Sequence, residues 1–161
     1  MNIQHHIRLA PEHLAGNDGL GRYVFLPGDP SRAEKIAAHF TDLELEENPR
    51  GFTARLGRLE PADGQPIDVL AMPSGIGAAC TEVVVHELLA CGARRFVRVG
   101  SCGTGAPPIR PGEVVIATGA VRDEATTRHY APPEFPALAH PDAVAAMAEG
   151  ARRYSALDPT E

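Results

Sequence analysis

Tryptophan is absent from the 161 residues and aromatic side chains make up only 5% of them, which removes the stacking platform that single-stranded nucleic acid needs. A basic excess is missing too. The formal charge is -6, so bulk electrostatics do not attract polyanions, and any bound anion is expected to be small. No apolar run approaches the roughly 20 residues of a membrane span. Met1–Leu20 holds His5, His6, His13, Glu12, Asp18 and Pro11 where a signal peptide would carry its apolar core. These absences predict a cytoplasmic chain without a membrane or nucleic-acid partner. Cysteine is scarce: Cys80, Cys91 and Cys102 form no CxxC pair, and an odd count predicts reduced, buried thiols. A zinc site at His86 lacks paired ligand spacing and a carboxylate-histidine cluster, so no metal is expected. Lys35 is the only lysine among 15 basic residues, and the arginines that replace it carry forked donors suited to oxyanions.

What is present is the composition of one folded domain, 43% hydrophobic and 22% charged, which places 1–161 in a single globular unit. Strand-like and helix-like segments interleave without internal repeats, predicting an α/β fold with a mixed central β-sheet flanked by helices. Tyr23–Leu26 reads as a strand that stops at Pro27-Gly28-Asp29-Pro30. There Asp29 can cap, and Pro30 can open, a helix running to about Phe40. Gly51–Leu59 and Pro66–Met72 read as a hairpin around Pro61-Ala62-Asp63-Gly64. A helix over Ala79–Cys91 ends at Gly92. Arg95–Val99 and Glu113–Thr118 read as strands on either side of a glycine-rich loop, and Pro141–Tyr154 as an Ala-rich helix. Ser155–Glu161 is polar and carries Pro159, which predicts a domain incomplete at its carboxyl end.

Three places carry chemistry. Gly28-Asp29-Pro30-Ser31-Arg32 joins a strand end to a helix N-terminus, where free N–H groups attract anions. Arg32 in the first helical turn opposes the helix dipole, so an external anion explains it better than helix stability does; the plainer reading is a surface arginine beside a capped turn. Phe96-Val97-Arg98-Val99-Gly100 is an apolar strand with one internal charge. On a central strand Arg98 would require an anionic partner, whereas on an edge strand it would simply be solvated. Gly75-Ile76-Gly77 resembles part of a dinucleotide turn, with Arg94 or Arg95 near a ribose-contact distance, but Cys80 stands where the third glycine belongs.

Other chemistries lack their parts. The 100–105 loop runs GxxGxG without a Walker lysine, no serine sits in a GxSxG elbow, and no HExxH occurs. His5, His6 and His13 are by default a solvated arm.

Gly28, Arg32, Arg50 and Arg98, with two further glycine loops, suggest a ligand that is phosphorylated or uses phosphate. The ordered set LPGDPSR at 26–32, NPRGFT at 48–53, MPSGIG at 72–77, RVGSCG at 98–103, PGEVVIATGAVR at 111–122 and HYAPPEFPA at 129–137 resembles the hexameric uridine and purine nucleoside phosphorylases. The likeness runs from about His5 to Ala148. It implies that Gly28, Arg32, Arg50, Arg98 and Ser101 bind phosphate, with Arg50 reaching a neighbouring subunit's site. It also implies that His6 meets a neighbour's ribose 5′-hydroxyl, that Ile76 lines the ribose, and that Cys102 and Gly103 border the base. Nucleoside and inorganic phosphate would be the substrates, with no further cofactor, in a dimer-based homo-oligomer that is a hexamer by resemblance. RVGSCG is similar to the purine branch and HYAPPEFPA to the uridine branch, and the balance leans to uridine.

Departures from the family pattern carry expectations of their own. Gly51 and Cys80 replace a glutamate and a serine linked to an interfacial monovalent cation in bacterial uridine phosphorylases, which implies loss of that ion site. Family members also continue beyond the position of Glu161 with a Gln and Arg that read the base and a Met-Glu pair that holds the ribose hydroxyls. This predicts that the chain alone is impaired as an enzyme. A non-catalytic phosphate-binding oligomerisation module and a nucleosidase are the competing readings.

Overall fold

The structure, a computed structural model, describes residues 2–105 and 108–157, with side chains described through 154. The chain divides into two compact units, Met1–Ser101 and Cys102–Glu161.

In the first unit, a short helix α1 (Pro11–Leu14) precedes strand β1 (Tyr23–Pro27) and helix α2 (Pro30–Ala37). Strands β2 (Thr41–Glu46), β3 (Ala54–Leu59) and β4 (Ile67–Ala71) follow, then helix α3 (Ala78–Ala90) and strand β5 (Arg95–Val99). They form one sheet in the order β2-β3-β4-β1-β5. β1 runs parallel to both β4 and β5, whereas β2, β3 and β4 pair antiparallel in succession, so the sheet is mixed as the sequence predicts.

Alternation along β1 sets the two layers, because successive side chains leave a strand on opposite faces. Val24 and Leu26 join Leu56, Leu70 and Met72 in a core closed by Val84 and Leu88 of α3. Phe25 faces the other way, its ring centroid 6.3 Å from that of Phe40 just beyond α2. Helix α2 starts where Asp29 Oδ1 accepts a hydrogen bond from Ser31 N at 2.8 Å, with Pro30 at its first position. It ends at Ala37, three residues before the expected Phe40, because Phe40 turns to lie over Gly57 of β3. A Cβ on Gly57 would sit 2.8 Å from both Phe40 Cβ and the Thr41 carbonyl oxygen.

Two expectations need correcting in this unit. Strand β2 was not foreseen: all six of its residues are exposed, so it owes its existence to the ladder with β3 and leaves no burial pattern to read. The amino-terminal segment is not a solvated arm, since Ile7, Leu9, Ala10 and Leu14 are buried to within 1%. The Gln4 N–H donates to the Leu9 carbonyl at 2.8 Å and closes a tight turn that presents these residues to the core. Four apolar side chains outweigh the histidines among them.

In the second unit, strands β6 (Gly119–Ala120) and β7 (Ala137–Leu138) form a two-residue antiparallel ladder, and helix α4 (Pro141–Leu157) matches its predicted position. The intervening loop wraps around Arg122, whose guanidinium donates to the carbonyls of Thr127, Ala131, Pro132 and Phe135. The predicted strand over 113–118 is absent: Val114 and Val115 are exposed, and only the next two residues find a partner strand. High β-propensity does not make a strand without a ladder to join. Among the described residues, no helix is long and apolar enough to cross a membrane.

Replacing Gly57 with alanine forces a methyl group into Phe40 and the Thr41 backbone. We expect a loss of about 1–3 kcal/mol, read from urea unfolding. An unchanged midpoint would contradict the close approach.

Candidate functional site

Because β4, β1 and β5 are parallel, their carboxyl ends lie side by side, which is where ligands gather on such sheets. The ladder continues past β1 and β4 through Ser74 N donating to the Pro27 carbonyl at 2.7 Å. That bond brings the Ser74-Gly75 turn against Gly28, so that a Cβ on Gly28 would lie 3.5 Å from the Gly75 carbonyl oxygen. Gly75 itself has φ +72, and a Cβ there would collide with Cys80 Sγ at 2.4 Å. Glycine is required at this turn by both conformation and space. Ile76, the next residue, is 94% exposed beside the same strand ends.

Two arginines converge here. Arg98 pairs with Leu26 across the β1–β5 ladder, and its Nη1 donates to the Leu26 carbonyl at 2.9 Å and the Val99 carbonyl at 3.2 Å. Its Nη2 would be 3.2 Å from a Cβ on Gly28, so the missing side chain keeps the guanidinium accessible at the turn. Arg32, from the first turn of α2, reaches the same Val99 carbonyl at 3.4 Å and the Ser101 hydroxyl at 3.5 Å. Among the described residues neither guanidinium makes an ion pair. Asp29 is occupied at the helix cap. The Ser31 backbone N–H, followed by the Ser31 hydroxyl, holds its carboxyl below the ordinary range. Two guanidinium groups sharing one carbonyl, with a hydroxyl beside them, supply donors of the kind that hold an oxyanion.

β5 is the edge strand of the five-stranded sheet, and Arg98 is exposed on it. Of the two alternatives open from sequence, the structure selects the solvated one. Desolvation does not demand an anion at Arg98; the convergence with Arg32 is what favours one. The dinucleotide reading loses its arginines. Arg94 donates to the Ala93 carbonyl at 2.7 Å, and Arg95 lies 5.4 Å above the Tyr23 ring with Nη1 bonded to the Leu20 carbonyl.

Gly28, Arg32, Arg98 and Ser101 are thus brought together, with Ile76 adjacent. Arg50 and His6 are not part of this cluster and instead form a second one. Asn48, 7% exposed, donates through Nδ2 to the His6 carbonyl at 2.8 Å and accepts from the Arg50 backbone N–H at 2.8 Å. Glu87 on α3 completes this cluster from below. Burial works to raise its pKa, but hydrogen bonds from Ile7 N–H, the His6 ring and His6 N–H outweigh it and leave the carboxyl below its ordinary range. Asn48 and Glu87 were missed in the sequence. A buried glutamate in an apolar helix stripe was the available signal, but only its partners in space reveal its use.

Cys102 and Gly103 belong to the second unit and are exposed there. The expectation of buried thiols holds for Cys91, which burial pushes up to about 11, and fails for exposed Cys102; Cys80 is half-buried against Gly75. Among the described residues, no three His, Cys, Asp or Glu side chains group as metal ligands.

The sign of the Glu87 shift fixes a pH dependence. A lowered folded pKa contributes stability that is complete above the ordinary value of 4.5 and is lost as pH falls through the lower, folded one. Urea midpoints measured from pH 7 to pH 3 are therefore expected to fall less in a Glu87→Gln chain than in the parent, and equal slopes would contradict the assignment.

Uridine phosphorylase of Treponema pallidum is 46% identical over 119 residues, covering 74% of this chain and 44% of that protein. The crystal structure of uridine phosphorylase from Vibrio fischeri superposes with a TM-score of 0.73 at 32% identity, covering 86% of this chain and 54% of that one. Purine nucleoside phosphorylase from Toxoplasma gondii, solved in complex with immucillin-H, superposes with a TM-score of 0.83 at 26% identity, covering 96% and 58%. The chain spans about half the length of these relatives. The family model for the Phosphorylase superfamily matches residues 22–157, and the chain belongs to that family.

Proposed function

We propose that this chain supplies the phosphate-binding part of a nucleoside phosphorylase of the uridine phosphorylase type, acting in cytoplasmic nucleoside salvage. The observation that carries the reading is the convergence of Arg32 and Arg98 on the Val99 carbonyl beside Gly28 and Ser101. An anion held there can lie against the anomeric carbon of a nucleoside. As the C1′–N bond breaks, positive charge develops on the sugar ring next to a fixed phosphate oxygen, and the new C1′–O bond gives free base and ribose 1-phosphate. The base leaves with the electron pair of the broken bond and gains a proton. No enzyme nucleophile is needed, which accounts for the missing triad, and phosphate serves as co-substrate without a further cofactor. In this reading Ile76 lines the sugar.

His6 and Arg50, bridged by Asn48, serve the site of a second copy in this reading, so the working unit is a homo-oligomer built from dimers. The names of the relatives favour uridine. A purine nucleoside is the second reading, favoured by the superposition on the Toxoplasma gondii enzyme.

Incubating the chain with uridine or inosine, with and without phosphate, tests the proposal by chromatography of base and ribose 1-phosphate. Phosphate-dependent release is expected, faster with uridine. Release that ignores phosphate would support a nucleosidase, and no release from a chain that still binds phosphate would support the non-catalytic module. Separately, Arg98→Ala is expected to weaken phosphate binding by at least about tenfold in calorimetry, the loss of one charge-assisted contact. Because Arg98 is exposed, the unfolding midpoint should hardly move; unchanged phosphate affinity would remove Arg98 from the site.

A further inference from the structure

The Glu87 side chain is 10% exposed, yet it is held by one short stretch of chain, with no lysine or arginine paired to it among the described residues. Its Oε2 accepts from Ile7 N–H at 2.8 Å and from His6 N–H at 3.0 Å, and its Oε1 accepts from His6 N–H at 3.1 Å. The fourth contact is different in kind. Glu87 Oε1 lies 2.6 Å from Nδ1 of the His6 ring.

An ionised carboxylate has only acceptor sites, so the hydrogen of this contact must sit on Nδ1. In a neutral imidazole the other nitrogen, Nε2, is then left with a lone pair. The His6 ring is 41% exposed, and among the described residues its Nε2 makes no hydrogen bond. Three further restraints hold the ring. Asn48 Nδ2 fixes the His6 carbonyl at 2.8 Å, the His5 ring stands edge-on with centroids 4.9 Å apart, and buried Ile7 follows directly in the chain.

We propose that Glu87 is a positioning residue that locks His6 in its Nδ1–H tautomer and so presents Nε2 as a hydrogen-bond acceptor selecting a ligand hydroxyl. The proposal rests on the reading of His6 as a sugar contact and deepens it by giving the contact a direction. A hydroxyl can donate to Nε2. A phosphate ester at the same place offers no donor at neutral pH and would bring its oxygens against a lone pair, so the pair His6–Glu87 discriminates nucleosides from nucleoside 5′-phosphates. A 5′-deoxynucleoside likewise loses the bond.

The tautomer is directly observable. In long-range proton–nitrogen spectra of the parent chain, the neutral His6 ring is expected to carry its proton on Nδ1 and to leave Nε2 unprotonated. The reverse pattern would overturn the proposal without any mutation. For the selective effect, calorimetry compares uridine with 5′-deoxyuridine in the parent, His6→Ala and Glu87→Gln chains. We expect the parent to prefer uridine by about tenfold, the scale of one well-placed hydrogen bond, and both variants to lose that preference. A merely structural role for Glu87 would weaken both nucleosides equally, and that result counts against it. If His6→Ala binds uridine as tightly as the parent, or the parent shows no preference, the sugar-contact reading of His6 fails and the proposal with it. If His6→Ala loses the preference and Glu87→Gln keeps it, the positioning role alone fails.

Discussion

Strand β1 is hydrogen-bonded in parallel to β4 on one side and to β5 on the other, and the arrangement of the first unit depends on that double pairing. Three chains of backbone carbonyls end at one level, and the turns that follow them must share the space above. Gly28, Gly75 and Gly100 stand at those turns. A Cβ on Gly28 would meet Arg98 Nη2 at 3.2 Å, and one on Gly100 would meet Arg98 Nη1 at 3.5 Å. Small residues on three neighbouring turns leave room beside them for two arginines, one from β5 and one from α2. If β5 were displaced by one residue, Arg98 would leave this face of the sheet and the convergence on Val99 would vanish.

The second cluster follows from a different constraint, the cost of burying a charge. Glu87 interrupts an otherwise apolar face of α3, and a buried carboxylate is tolerated only when its oxygens are satisfied. The amino-terminal turn supplies the donors, two from backbone and one from the His6 ring. Folding that turn onto Glu87 also buries Ile7 and Leu9 in the core. A polar requirement and an apolar one are met by the same segment, and Asn48 ties in the loop that carries Arg50. Two groups far apart in the sequence, at positions 6 and 50, become one surface because a single buried amide reaches both backbones.

Much of the fold could be read locally. The cap at Asp29, the proline after it and the glycine before it announce a strand, a turn and a helix within a few residues. The apolar stripe of α3 and the hairpin between β3 and β4 are equally short-range. What failed was non-local. TDLELE at 41–46 carries no burial signal, because an exposed edge strand needs only a neighbour with free backbone groups. EVVIAT at 113–118 carries a strong strand signal, yet only the residues just after it pair. His6 reads as solvated in the sequence because its acceptor, Glu87, stands 81 residues away.

By itself, then, the sequence determined the family, the mixed α/β class, the capped turn at Gly28 and the arginines suited to an oxyanion, since each is written in contiguous residues whose local chemistry has few alternatives. Only the tertiary structure decided which of those arginines meet. Arg32 and Arg98 converge because parallel pairing of β1 with β5 sets the start of α2 beside the end of β5, and Arg50 stands with His6 instead because Asn48 bonds to both backbones. The physical reason is the same in each case: a hydrogen bond or a sheet register joins residues by distance in space, and neither leaves a mark in the spacing along the chain.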